Sequence, residues 1–206
     1  MKRYDTIVWD VDGTLLNTAE GLIAAWQYSI ETLGLPSRSK EELARFIGPV
    51  PQEIFQREFA MDAVQAQRAT DIFRNWYKEH GLVMAHLYDG IPEVLHSLKE
   101  AGYKQAIATN KRQDYAKKIC EIFGIDAYCS PILGPDNVTV KSKSGLILDC
   151  LSDLRSNRAI MIGDTEGDKK AADEVHVDFL GVNYGFGFHS ISGYANTPRE
   201  ILKLLK

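Results

Sequence analysis

Thr6-Ile7-Val8-Trp9-Asp10-Val11-Asp12-Gly13-Thr14 decides the fold. Four β-favouring residues run into an acidic pair and an Asp-Gly turn. That is the pattern of a short strand buried on both faces and stopped by polar residues. The same pattern returns downstream. Gln105–Ala108 stops at Thr109-Asn110, Ala159–Ile162 stops at Gly163-Asp164, and Phe179–Val182 is a further strand. Ala127–Ile132 is a weaker one. Helical stretches stand between them: Pro92 to Gly102, Asp114 to Phe123, Ser144 to Leu154 and Asp168 to Asp173. Thr197-Pro198-Arg199-Glu200 is a capping box that opens a last helix over Ile201 to Leu205. Strands alternating with helices predict βαβ units: an α/β, Rossmann-like parallel sheet core with helices on both faces.

One block breaks the alternation. Asn17 stands three residues before Glu20 like a capping box, and Leu22, Ile23, Trp26, Ile30 and Leu33 follow at helical spacing until Gly34. Ser39 and Glu42 open a second helix, and Pro51–Phe59 and Asp62–His80 read as two more. The chain thus divides into a core of residues 1–15 and 86–206 and an inserted all-helical cap of residues 16–85.

The 206 residues carry 45% hydrophobic and 25% charged side chains, which excludes disorder, collagen and coiled coil. No apolar run approaches the roughly 20 residues of a membrane span, and no h-region follows Lys2-Arg3, so neither a membrane partner nor a signal peptide is expected. A net charge of −4 gives no nucleic-acid footprint. Cys120, Cys129 and Cys150 are odd in number with no CxxC spacing, which points to free thiols in a reducing, cytoplasmic setting.

Ligands of a parallel sheet bind at the carboxyl ends of its strands. Three strands here end in Asp10 with Asp12, in Thr109 with Asn110, and in Asp164 with Asp168 nearby. Acidic groups gathered at one edge repel one another unless a cation joins them, and Mg2+ shared with substrate phosphate is the hard-ion solution. A carboxylate at Asp10 is able to attack phosphorus. Asp12 must carry a proton to assist a leaving oxygen, and neighbouring negative charge favours that form. A chance match to DxDGT has odds of about one in 10^5 per position.

On these residues the chain resembles the haloacid dehalogenase-like superfamily, in the helical-cap phosphatase branch similar to the phosphoglycolate phosphatases. Asp10 to Thr14 matches the first motif, Thr109 the second, and Gly163-Asp164 through Asp168 the fourth. The resemblance implies Asp10 as nucleophile, Asp12 as general acid and base, and Thr109 at the transferring phosphoryl group; Asn110, beside it, is a further candidate for contact with the phosphate or leaving group. It implies Mg2+ held by Asp10, Asp164 and the carbonyl of Asp12, with Asp168 supporting its waters. The third motif is a Lys or Arg that neutralises charge on the phosphoryl oxygens and the nucleophile. Lys141 and Lys143 both precede the 144–154 helix, and Lys143-Ser-Gly-Leu-Ile is the better match, although the proline often found after this lysine is absent.

The implied substrate is a small-molecule phosphate ester. A phosphosugar mutase, pyrophosphatase or nucleotidase on the same fold is an alternative, as is a catalytically silent binding module. A metal-free dehalogenase would lack Asp12. Gly185-Phe186-Gly187 is a fragment of a dinucleotide fingerprint, but Ser190 replaces its last glycine and no helix pattern follows. Lys111, Arg45, Arg57, Lys78 and the Gly48–Pro51 turn are weaker candidates for substrate contact. Whether the chain is a monomer or a homodimer is open.

Overall fold

The computed structural model describes residues 2–136 and 141–205. The chain forms two compact units, residues 1–17 with 86–206 and residues 18–85.

The first unit is built on β1 (Thr6–Trp9), every residue of which is buried. The chain leaves β1 through a tight turn. The Leu15 and Leu16 N–H groups donate to the Val11 carbonyl at 3.1 and 3.0 Å, and β2 (Leu16–Asn17) follows.

The second unit contains α1 (Ala19–Thr32), α2 (Lys40–Ala44), α3 (Pro51–Phe59) and α4 (Ala63–Trp76). The capping boxes of α2 (Ser39 with Glu42) and α4 (Asp62 with Gln65) are both formed. The expected box at Asn17 is not. Thr18 is the N-cap and makes no side-chain cap, because Asn17 is drawn into β2, where it pairs with His86. Beyond Trp76 the helix loosens into a π-helical turn over Tyr77–Gly81. Gly21 packs on it so closely that a Cβ there would lie 2.3 Å from the Gly81 carbonyl oxygen.

Trp26 is the centre of this unit. It is 1% exposed, with the rings of Phe46, Phe55 and Phe73 at 5.2, 4.8 and 4.7 Å. Trp26→Ala is therefore expected to destabilise the unit by about 3–5 kcal/mol. Amide hydrogen exchange resolves the effect: protection in α1 and α4 falls while that of β1 is unchanged.

The chain re-enters the first unit at β3 (His86–Leu87), antiparallel to β2. Then come α5 (Ile91–Glu100), β4 (Lys104–Ala108), α6 (Gln113–Ile122), β5 (Ile132–Leu133), α7 (Lys143–Leu154), β6 (Ala159–Gly163), α8 (Glu166–Glu174), β7 (Asp178–Gly181) and α9 (Pro198–Leu204). The sheet order is β5-β4-β1-β6-β7, and every neighbouring pair is parallel. The α/β parallel architecture expected from the alternation is what forms.

Alternate side chains serve the two sheet faces. Val8, Ala106, Ala108 and Met161 share one face and pack with Leu146, Ile147 and Cys150 of α7 and Ala171 and Ala172 of α8. On the other, the Trp9 indole donates to Gln105 Oε1 at 3.1 Å, and Gln105 Nε2 donates to the Leu95 carbonyl of α5 at 3.0 Å.

Two smaller expectations fail. The weak strand begins only at Ile132, because residues 125–129 form a turn in which the Tyr128 and Cys129 N–H groups both donate to the Ile125 carbonyl. The box at Thr197 is displaced by one residue: Glu200 accepts from the Asn196 N–H at 2.8 Å, and Thr197 makes no side-chain cap. All three cysteines are buried and unpaired.

Candidate active site

Parallel register fixes which residues meet. Trp9 is level with Ile107 and Ile162, so Asp10, Thr109 and Asp164 leave their strands at the same edge of the sheet. Asp10, Asp164 and Asp168 bring one carboxylate oxygen each within 4.8 Å of one another, and all three are buried.

One cation enters this group. Lys143, at the first turn of α7, is 8% exposed, and its ammonium donates to Asp10 Oδ1 at 2.6 Å and to Asp168 Oδ1. Lys141, two residues earlier, pairs instead with Asp149 at the surface. Ser142 caps α7 by accepting from the Gly145 N–H, and the two lysines diverge from either side of that cap. Asp168 is heavily engaged: its Oδ2 accepts from the Thr165 N–H at 3.0 Å and the Thr165 hydroxyl at 2.7 Å, forming the capping box of α8.

The electrostatics follow from burial. Loss of water pushes the Asp10 carboxyl up to about 8; Lys143 opposes the rise, and the charges of Asp168, Asp164 and Asp12 add to it. Burial and then the charge of Asp168 push Asp164 up to about 6, against a hydrogen bond from the Phe186 N–H. Burial alone would lower the Lys143 ammonium, but Asp10 and Asp168 more than reverse this and hold it well above the usual lysine range. The cluster therefore holds more negative charge than one lysine offsets. A hard divalent cation with oxygen ligands suits such a donor set.

Asp12 stands beside a second cation. Lys111 Nζ lies 3.0 Å from its Oδ1, and the two side chains are 5% and 16% exposed. The expectation of purely negative surroundings for Asp12 therefore does not hold. Thr109 is buried, and its hydroxyl oxygen accepts from the Lys111 N–H at 3.2 Å, which leaves its own proton free to donate. Asn110 is exposed at the same loop. Of the weaker candidates, Arg57 pairs with its neighbour Glu58 at 2.8 Å, and Arg45 and Lys78 are exposed in the helical unit.

A group beyond β7, which no sequence motif marks, joins this edge of the sheet. The Tyr184 hydroxyl donates to the Thr14 carbonyl at 3.1 Å, its ring meets that of Tyr88 at 4.8 Å, and the Phe186 N–H donates to Asp164 Oδ2 at 2.7 Å. Its position at the carboxyl end of a strand was the available signal.

The family described as haloacid dehalogenase-like hydrolase matches residues 7–182. A 5'-nucleotidase of Pseudomonas aeruginosa is 32% identical over 188 residues, covering 90% of this chain and 85% of its own. A phosphoglycolate phosphatase of Vibrio parahaemolyticus is 28% identical, over 87% and 84% of the two chains. Among solved structures, a crystal structure of a predicted phosphatase from Clostridium acetobutylicum superposes with a TM-score of 0.89 at 30% identity, over 97% of this chain and 99% of that one.

Proposed function

The chain belongs to the haloacid dehalogenase-like hydrolase family and is a phosphatase, and we propose that it hydrolyses a small phosphate monoester by passing the phosphoryl group through the carboxylate of Asp10. The observation that carries this reading is the buried trio of Asp10, Asp164 and Asp168 with the Lys143 ammonium between two of its members.

Asp10 and Asp164, with the main-chain carbonyl of Asp12, would hold Mg2+. When bound, the ion supplies charge neutralisation at the phosphoryl oxygens and at the buried carboxylates. In the first half-reaction an Asp10 oxygen forms a bond to phosphorus as the bond to the leaving oxygen breaks. Asp12 gives that oxygen its proton. In the second, Asp12 takes a proton from water, the water oxygen bonds to phosphorus, and Asp10 is released with inorganic phosphate. Lys143 and the Thr109 hydroxyl hold the phosphoryl oxygens, with Asn110 at the rim of the same loop. Asp168 holds Lys143 in place and stiffens the start of α8. Phosphoryl transfer asks mainly for positioning and charge neutralisation, and these groups supply both.

Phosphoglycolate-like esters are the first substrate class. Nucleoside monophosphates are the second, favoured by the 32% identical nucleotidase. The buried free thiols suit a reducing, cytoplasmic compartment.

Phosphate release from a panel of sugar, short-acid and nucleoside phosphates, with and without Mg2+, tests the reading. Release that is absent throughout, or indifferent to chelation, overturns it. Millimolar Mg2+ is expected to raise the melting temperature of the protein by several degrees, as any ligand selective for the folded state does. Asp164→Asn is expected to remove that shift.

A further inference from the structure

Three glycines from two distant segments close on Asp164. A Cβ at Gly13, where φ is +84°, would lie 2.1 Å from Asp164 Oδ2. One at Gly185 would lie 2.3 Å from Asp164 Cβ, and one at Gly187 would lie 2.5 Å from the Asp164 carbonyl oxygen. No side chain fits at these positions without displacing that residue or the loop. The loop's hydrogen bonds converge on the same place. The Phe186 N–H donates to Asp164 Oδ2 at 2.7 Å, and the Phe188 N–H donates to the Asp164 carbonyl at 2.8 Å. The Thr14 hydroxyl donates to Oδ1 at 3.3 Å, and the Tyr184 hydroxyl ties the loop back to the Thr14 carbonyl.

A carboxylate on a short side chain turns about its last bond unless something fixes its plane. Here one oxygen faces a main-chain donor and the other a buried hydroxyl. The donor is placed by a loop with glycine on either side of it. We propose that the loop 184–188 is a positioning element that sets the affinity of Asp164 for a divalent cation, with the Phe186 main-chain N–H as the orienting donor. This rests on the assignment of Asp164 as a metal ligand made above. It also accounts for Gly185-Phe186-Gly187: the spacing brackets one N–H against Asp164.

Partners that orient a metal ligand change metal affinity by about 10–100-fold when disturbed. The test is Mn2+ binding to the folded full chain, read by paramagnetic resonance, with the urea midpoint of each variant measured alongside. Gly185→Ala is expected to weaken Mn2+ binding by about 10-fold or more. Tyr184→Phe removes one loop tether without adding an atom, and is expected to weaken binding about three- to tenfold, the worth of one hydrogen bond. Phe186→Ala keeps the N–H and is expected to bind within about twofold of wild type, on the same scale.

Should Gly185→Ala not fold, Tyr184→Phe decides. Wild-type affinity in both folded variants overturns the positioning role and leaves the metal assignment standing. A loss in Phe186→Ala as large as in Gly185→Ala moves the effect to the ring and overturns the main-chain donor. A wild-type protein that binds no Mn2+ overturns the metal assignment, and this inference with it.

Discussion

Asp10→Asn is expected to lower phosphate release by about 10^4-fold or more, the scale of losing a nucleophile. No phosphoprotein should be trapped by acid quench. The same variant is expected to keep or gain stability in metal-free buffer. Asn preserves the shape of the side chain, and Lys143 remains paired with Asp168, so no buried cation is abandoned. What disappears is one charge from an overloaded cluster. The pH dependence gives the sign. A carboxyl held near 8 in the folded protein and near 3.8 in the unfolded chain binds a proton more tightly when folded. Its contribution to stability is full below about pH 4 and is lost as pH rises toward 8. Metal-free wild type should therefore melt progressively lower across that window, and Asp10→Asn should melt with a flatter profile. A variant that retains the wild-type rate would remove Asp10 from the chemistry.

Lys143→Met is expected to damage the fold of the metal-free protein severely. It leaves Asp10 and Asp168 buried without their cation, and breaking a buried pair in this way costs about 3–5 kcal/mol. Turnover should fall about 10^2–10^3-fold, as when one charge-stabilising donor is removed. Mg2+ should restore part of the stability, because it supplies the missing positive charge. Lys141→Met is the control. Its pair with Asp149 is surface-exposed, with side chains 44% and 40% accessible. Its loss should cost no more than about 0.5 kcal/mol and leave turnover unchanged. Urea denaturation and phosphate release on the two variants separate them, and a larger effect at Lys141 would reverse the assignment.

The strand ends were legible for a simple reason. A parallel sheet buried on both faces requires unbroken apolar strands, so the point where polarity begins marks the ligand edge. Asp10, Thr109 and Asp164 could thus be placed from sequence. Lys143 could be preferred over Lys141 only by likeness to a motif. What separates them is the cap at Ser142, which sends one lysine inward and the other to the surface.

Other features left no readable trace. β2 and β3 are two residues each, too short for any periodicity, and their pairing moved the start of α1 from Asn17 to Thr18. The donor to Asp164 is a main-chain N–H, which every non-proline residue carries. Lys111 reaches Asp12 across a loop, and no spacing rule announces such a contact.

The small β2–β3 ladder has a consequence for how the chain is assembled. Leu16 faces Leu87 and Asn17 faces His86, so the points where residues 18–85 depart and return are about 5 Å apart. A segment with adjoining ends imposes little closure entropy on its host beyond the first few residues, since that term grows only with the logarithm of length. The sheet is thus nearly indifferent to how long the excursion is. On this ground it should tolerate a longer or shorter module spliced between those two residues.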